Sequence, residues 1–299
     1  MARARARVAI LAAVLVAAVV PAVGPASSVA SAVRPTCAGR AVTIDLKKVH
    51  HPNPLRSFPD VILGTPGADR IRTGGGDDVV CTGGGNDHVI SGRGNDVLRL
   101  GAGNDVAIGG GGYDVIYGGA GDDRLEGRVG GSRLSGGRGD DVVLGGRDVD
   151  LLLGGPGADR VSTGGERALS EQVHLGPGND LVEATWGDEL LDGGPGIDTV
   201  SYNGTAHPLV LGLTVDLFLG GPQDAGGGGI DELRSIERLV GSPYDDVILG
   251  SDSDDVLLGD LGDDVIDGRG GHDLCYGGGG ADTFTSCELA VEDREVTVR

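Results

Sequence analysis

The residues that could do chemistry here are aspartates held in register. From Asp60 an Asp recurs every nine residues, at Asp69, Asp78, Asp87, Asp96, Asp105, Asp114 and Asp123. Ser132 stands at the next place, and the count resumes at Asp141, Asp150 and Asp159. Asp180 and Asp198 follow after a slip of three residues, with Glu189 between them, and a last series runs through Asp246, Asp255, Asp264, Asp273 and Asp282. Carboxylates set among glycine carbonyls are hard oxygen donors, and calcium takes six to eight such ligands. The spacing predicts that every one of these Asp is a calcium ligand. Twelve pairs lie eighteen residues apart, which limits the ions to about twelve. Asp78, Asp87 and Asp96 have a partner at that distance on both sides.

The stretch Thr73 to Arg99 shows what must position them. It is three nine-residue units, each with glycine at places two and four, Asp at place six and an aliphatic residue at place eight. Glycine accepts the positive φ of a tight turn. The last three places form a short strand whose eighth residue points inward: Ile71, Val80, Val89, Leu98, Ala107, Ile116, Leu125, Leu134, Val143, Leu152 and Val161. Two units make one turn of a flattened spiral, an all-β parallel β-roll or β-solenoid with two sheets and eighteen residues per turn. Successive turns stack at about 4.8 Å.

Units such as Gly136-Gly-Arg-Gly-Asp-Asp-Val-Val-Leu144 and Gly118-Gly-Ala-Gly-Asp-Asp-Arg-Leu-Glu126 resemble the RTX, or hemolysin-type, calcium-binding repeat family over about residues 60–285. Val215-Asp-Leu217, Ile236-Glu237 and Gly241-Ser-Pro-Tyr-Asp-Asp246 resemble a segment common between RTX blocks. The resemblance implies that the sixth-place carboxylates and the turn carbonyls bind calcium. It fixes no biological role, because such blocks occur on toxins, proteases, lipases, epimerases and adhesins.

With 59 glycines and 3% aromatic residues, the chain cannot fill a thick core with large side chains. A formal charge of -21 with no basic patch in the sequence points to cations as partners and away from nucleic acid and anionic membranes. Residues 1–32 read as a signal peptide: Arg3, Arg5 and Arg7, then the apolar run Val8 to Val20, then Ala30-Ser-Ala32. That run is short for a membrane span, which needs about 20 apolar residues. Cleavage would leave a formal charge of -24 and no span. An exported chain with Cys37, Cys81, Cys275 and Cys287 is expected to form disulfides. Three pairings are possible, and Cys37–Cys81 with Cys275–Cys287 is preferred because each ties a non-repeat end to its nearest repeat. Zinc lacks the CxxC spacing it would need.

The expected organisation is a signal peptide (1–32), an N-terminal cap (33–57), a β-roll with an irregular loop near 163–176 (58–201), a non-repeat insert (202–240), a second β-roll block (241–285) and a C-terminal cap or tail (286–299). The cap carries His50 and His51, read as solvated loop residues, and Trp186 is read as a packing residue. Ile230 to Val240 fits an amphipathic helix as well as a bent strand. Asn203-Gly-Thr205 matches an N-glycosylation acceptor, a motif short enough to arise by chance. HExxH, GxSxG and the EF-hand DxDxDG are absent, and the GxGxxG matches are the repeat itself, so no catalytic constellation stands out. The expected function is a secreted calcium-binding repeat protein that folds on calcium and has no catalysis of its own. A calcium-stiffened adhesin or matrix protein with a surface or polysaccharide partner, sought in the insert, is the alternative. A carbohydrate-active enzyme ranks last.

Overall fold

A computed structural model describes residues 36–45, 56–164, 170–185, 187–204, 212–225 and 229–291. Residues 1–32, read above as a signal peptide, and His50, His51, Trp186 and Thr205 lie outside the described residues. All regular structure in the described residues is strand. Strands alternate between two sheets stacked face to face, the first with thirteen parallel strands and the second with eleven, parallel except for the edge strand Gln223–Asp224. A further four-stranded sheet continues the second face toward the C-terminus.

Register sets this architecture. Ile71 pairs with Val89 and Val80 with Leu98, so alternate units enter opposite sheets and residues eighteen apart stack. The eighth-place residues from Ile71 to Val161 are all 0% exposed and form one continuous core. From Arg70–Gly75 to Arg133–Arg138 each strand is six residues long, running from place seven to place three of the next unit. This is twice the expected three-residue strand. The reason is that place one also points inward, as at Thr73, Thr82, Ser91 and Leu100, so the two-residue alternation of a strand continues into the glycine half. The turn itself falls at places two and four, where Gly110 (φ 117°) and Gly112 (φ 122°) take values that a side chain would resist.

The slip after Asp159 does not interrupt the stack: Leu151–Leu153 pairs with Glu171–His174, and Arg160–Ser162 with Leu181–Glu183. Within 202–240, Ile230–Arg234 and Arg238–Val240 are strands in register with Glu189–Asp192 and Thr199–Ser201. The ambiguous segment is therefore two strands and no helix. Thr214–Asp216 pairs with Val247–Leu249 and starts the four-stranded sheet, while the thirteen-stranded sheet runs on unbroken through Val256–Leu261.

Both disulfides have the expected pairing, Cys37–Cys81 and Cys275–Cys287. Cys81 faces outward on the second sheet. The Thr36–Cys37 and Arg40–Ala41 hairpin therefore lies on that sheet's outer surface, where Cys37, Val61 and Val79 form a small separate core. The Ile44–Asp45 strand pairs with Ile62–Leu63 and adds a rung before the first repeat.

Candidate metal centre

Each repeat Asp sits at a turn, immediately before the strand it introduces, and so lies in a column along one edge of the solenoid. Asp60, Asp78, Asp96, Asp114 and Asp150 line the edge that enters the second sheet, with Ser132 in the gap. Asp69, Asp87, Asp105, Asp123, Asp141, Asp159, Asp180, Asp198, Asp255 and Asp273 line the edge that enters the first. Asp246, Asp264 and Asp282 introduce strands of the four-stranded sheet.

The columns are hydrogen-bonded ladders. The Asp78 backbone N–H donates to Asp96 Oδ1 at 2.8 Å, Asp105 to Asp123 at 2.8 Å and Asp141 to Asp159 at 2.8 Å. Pairs that an eighteen-residue count misses are also formed. Asp159 N–H donates to Asp180 Oδ1 at 2.8 Å, Asp198 to Glu237 Oε2 at 2.9 Å, Glu189 to Asp231 Oδ1 at 3.0 Å, and Asp273 to Glu288. Asp231, Glu237 and Glu288 thus complete the columns, and strand register sets Glu171 beside Asp150. The signal of Glu171, Asp231 and Glu237 was the same as that of the repeat, an acid two residues before an inward aliphatic residue, as in Glu171 and Val173 or Glu237 and Leu239.

A second ladder uses place five. Asn104 N–H donates to Asn86 Oδ1 at 3.0 Å, Asp122 N–H to Asn104 Oδ1 at 3.1 Å and Asp140 N–H to Asp122 Oδ1 at 3.1 Å. These exposed Asn and Asp side chains close the turns without entering the interior. They account for the frequent Asp-Asp and Asn-Asp pairs of the sequence.

The other oxygen of each column carboxylate has a different fate. Oδ2 of Asp78, Asp87, Asp96, Asp105, Asp114 and Asp123 is buried with no hydrogen-bond partner, as is that of Asp141, Asp150, Asp159, Asp180 and Asp198, and of Asp264, Asp273 and Asp282. An unpartnered buried carboxylate oxygen is costly unless something positive meets it. Asp69, Asp246 and Asp255 differ in their turns. Asp69 Oδ2 accepts from the Thr65 N–H at 2.7 Å, Asp246 Oδ2 from the Ser242 N–H at 2.6 Å, and Asp255 Oδ2 from the Ser251 N–H at 2.6 Å, while Asp255 Oδ1 has no partner.

Place one decides what the free oxygen faces. A Cβ added to Gly118 would stand 2.3 Å from Asp123 Oδ2 and 2.5 Å from the Gly136 carbonyl oxygen, and one on Gly154 would stand 2.5 Å from Asp159 Oδ2 and 2.6 Å from the Leu175 carbonyl. Glycine there keeps open a niche between a carboxylate and the carbonyl of the next turn. In the first rungs the niche holds a hydroxyl: Thr73 donates to the Ser91 carbonyl at 2.8 Å, Thr82 to Leu100 at 2.5 Å and Ser91 to Gly109 at 2.9 Å.

The electrostatics follow this division. Burial pushes Asp114, Asp123, Asp150 and Asp159 up to about 7, and Asp105, Asp141 and Asp198 to about 6. Burial also raises Asp78, Asp87 and Asp96, opposed by the backbone N–H groups of Asp60, Asp69 and Asp78 that donate to their Oδ1 atoms and by the nearby Thr73, Thr82 and Ser91 hydroxyl dipoles. At the junction with the insert, burial and the Asp231 carboxylate hold Glu189 far above the usual carboxylate range. Asp231 in turn accepts from the Tyr202 hydroxyl at 2.7 Å.

The donor set fits a hard divalent cation: negative, all oxygen, and open on the side of the carbonyls. Among the described residues no three His, Cys, Asp or Glu side chains converge on one point, so a bound ion must draw much of its shell from the backbone. A parallel β-solenoid with such turns defines a calcium-binding repeat protein. The family model for the RTX calcium-binding nonapeptide repeat matches residues 57–89, 82–115, 99–134, 126–161, 169–200, 235–266 and 249–284, and the chain belongs to that family. No curated protein matches the chain.

Proposed function

We propose that the chain is exported and folds on binding calcium outside the cell, with no catalysis of its own. The observation that carries this reading is the row of buried carboxylate oxygens without partners, those of Asp114, Asp123, Asp141, Asp150 and Asp159 beside a glycine niche. The residues that would hold the ions are the column Asp of successive turns, with Asp114, Asp123, Asp141 and Asp159 the best placed, together with the carbonyls of the first-place glycines. Calcium supplies two positive charges and a requirement for oxygen ligands at each site. The side chains orient themselves through the Oδ1 ladder, which leaves Oδ2 turned into the niche.

A glycine-rich chain loses much entropy on folding and buries little apolar area, so a ligand bound only by the folded state shifts the balance strongly. Low calcium inside a cell then leaves the chain extended for export, and millimolar calcium outside organises it. The disulfides and the signal-like residues 1–32 support an extracellular location. Among the described residues no helix is long and apolar enough to cross a membrane.

Far-ultraviolet circular dichroism with calcium and with chelator tests the reading. A β signal that is small in chelator and grows with calcium is expected, and an apo chain equally folded and equally heat-stable would overturn it.

A further inference from the structure

The sequence shows no basic cluster, yet the fold assembles one. On the outer face of the thirteen-stranded sheet, the residues that open successive strands are Arg70, His88, Val106, Arg124, Val142 and Arg160, each paired in register with the next. Arg72 lies beside Arg70 on the same face, and Arg93, Arg128 and Arg147 stand at the far ends of strands in this sheet. All of these arginines are exposed. Across the six strands from Arg70–Gly75 to Arg160–Ser162 the one acidic residue is Glu126, and Arg128 takes it at 2.8 Å. Arg160 pairs with Glu183 at 3.0 Å. Among the described residues no carboxylate pairs with Arg70, Arg72, Arg93, Arg124 or Arg147. The opposite sheet opens its strands with Val61, Val79, Val97 and Val115 before a single Arg133, and the N-terminal hairpin packs on part of that row.

We propose that this basic face binds a linear acidic polysaccharide laid along the solenoid axis. The arginines of the row stand two or three rungs apart, about 10–15 Å at ~4.8 Å per rung. Widely spaced carboxylates match that interval and can each take a bidentate guanidinium. A nucleic-acid duplex matches it poorly, with one charge per about 1.7 Å. Between the cations lie Ile90, Val106, Ile108 and Val142, aliphatic and flat, and the one ring of the row is His88. The row borders the turn edge that holds the carboxylate columns, but its arginines are exposed on the sheet face whereas Asp87, Asp123 and Asp159 are buried.

The test measures binding of the full chain in millimolar calcium to hyaluronan fragments, which carry a carboxylate on alternate sugars, with neutral dextran as control. The wild type is expected to bind hyaluronan and not dextran, and to lose affinity with added salt. Arg70→Gln/Arg93→Gln/Arg124→Gln should weaken binding by about tenfold or more, since charge-assisted bonds are lost. Arg99→Gln/Arg138→Gln on the opposite sheet should leave it unchanged. Calcium-induced dichroism is recorded for every variant and should not differ. Absence of hyaluronan binding by a chain with an intact calcium response overturns this inference alone. So does equal loss in the two variants, or tighter binding to a DNA duplex or to phosphatidylserine vesicles than to hyaluronan.

Discussion

The rungs that begin with Thr73, Thr82 and Ser91 and those that begin with Gly109, Gly118, Gly136 and Gly154 share the same backbone path and the same Asp. They differ in what fills the niche beside it. In the first group a hydroxyl spans from one turn to the carbonyl of the next. In the second the space is open and the carboxyls are driven to about 6 or 7 by burial. One part of the solenoid carries an added polar bridge between its turns, although Oδ2 of Asp78, Asp87 and Asp96 stays without a partner there too, and the other has only the open niche. The disulfide Cys37–Cys81 falls on the bridged part, so the N-terminal rungs are the natural base on which the rest stacks.

The largest effect that could break this comparison is calcium removal. With chelator, hydrogen exchange should accelerate at least about a hundredfold in Val115–Ala120, Arg124–Val129 and Arg133–Arg138, and much less in Val79–Gly84 and His88–Arg93. Uniform loss of protection would erase the distinction.

The next is pH in the absence of calcium. The folded-state carboxyls of the glycine rungs lie above their unfolded value of 3.8, so the folded chain binds more protons. Stability from this source is fully present below about pH 4 and is lost as pH rises through about 7. Thermal melts in chelator should therefore show a falling Tm from pH 4.5 to pH 7.5 (values on the order of that window), and calcium should abolish the fall. A Tm that rises over the same range would contradict the burial of these groups.

Reduction of Cys37–Cys81 comes third. It opens a loop with a sequence separation of 44 residues, for which chain entropy gives about 4 kcal/mol. The loss should appear as lower protection in the hydroxyl rungs, read by the same exchange experiment on the reduced chain.

Thr82→Gly sharpens the contrast directly, since it turns a hydroxyl rung into a glycine rung. Without calcium it should cost about 1–3 kcal/mol, and the Asp87 carboxyl should titrate higher by NMR. The smallest effect is expected from Glu189→Gln. Burial and Asp231 hold Glu189 protonated at neutral pH, so the neutral amide should change stability by less than about 1 kcal/mol in chemical denaturation. A large loss there would show that the Glu189 charge is used.

Much of this protein was legible in the sequence, because a strict repeat converts spacing into position. The nine-residue Asp count, the inward aliphatic at place eight and the glycines at places two and four each describe one unit, and every unit obeys the same local sterics. Even the cysteine pairing followed from which repeat lay nearest. Other features depend on which residues the turns bring together. Glu171, Asp231 and Glu237 joined the columns across gaps of 21 to 42 residues, where counting fails but strand register does not. The open or hydroxyl-filled niche exists only where one turn's side chain meets the next turn's carbonyl. The basic face arises because successive units go to opposite sheets, so arginines scattered among acids in the chain collect on one surface. Sequence fixes what each rung contains, and stacking decides what each rung faces.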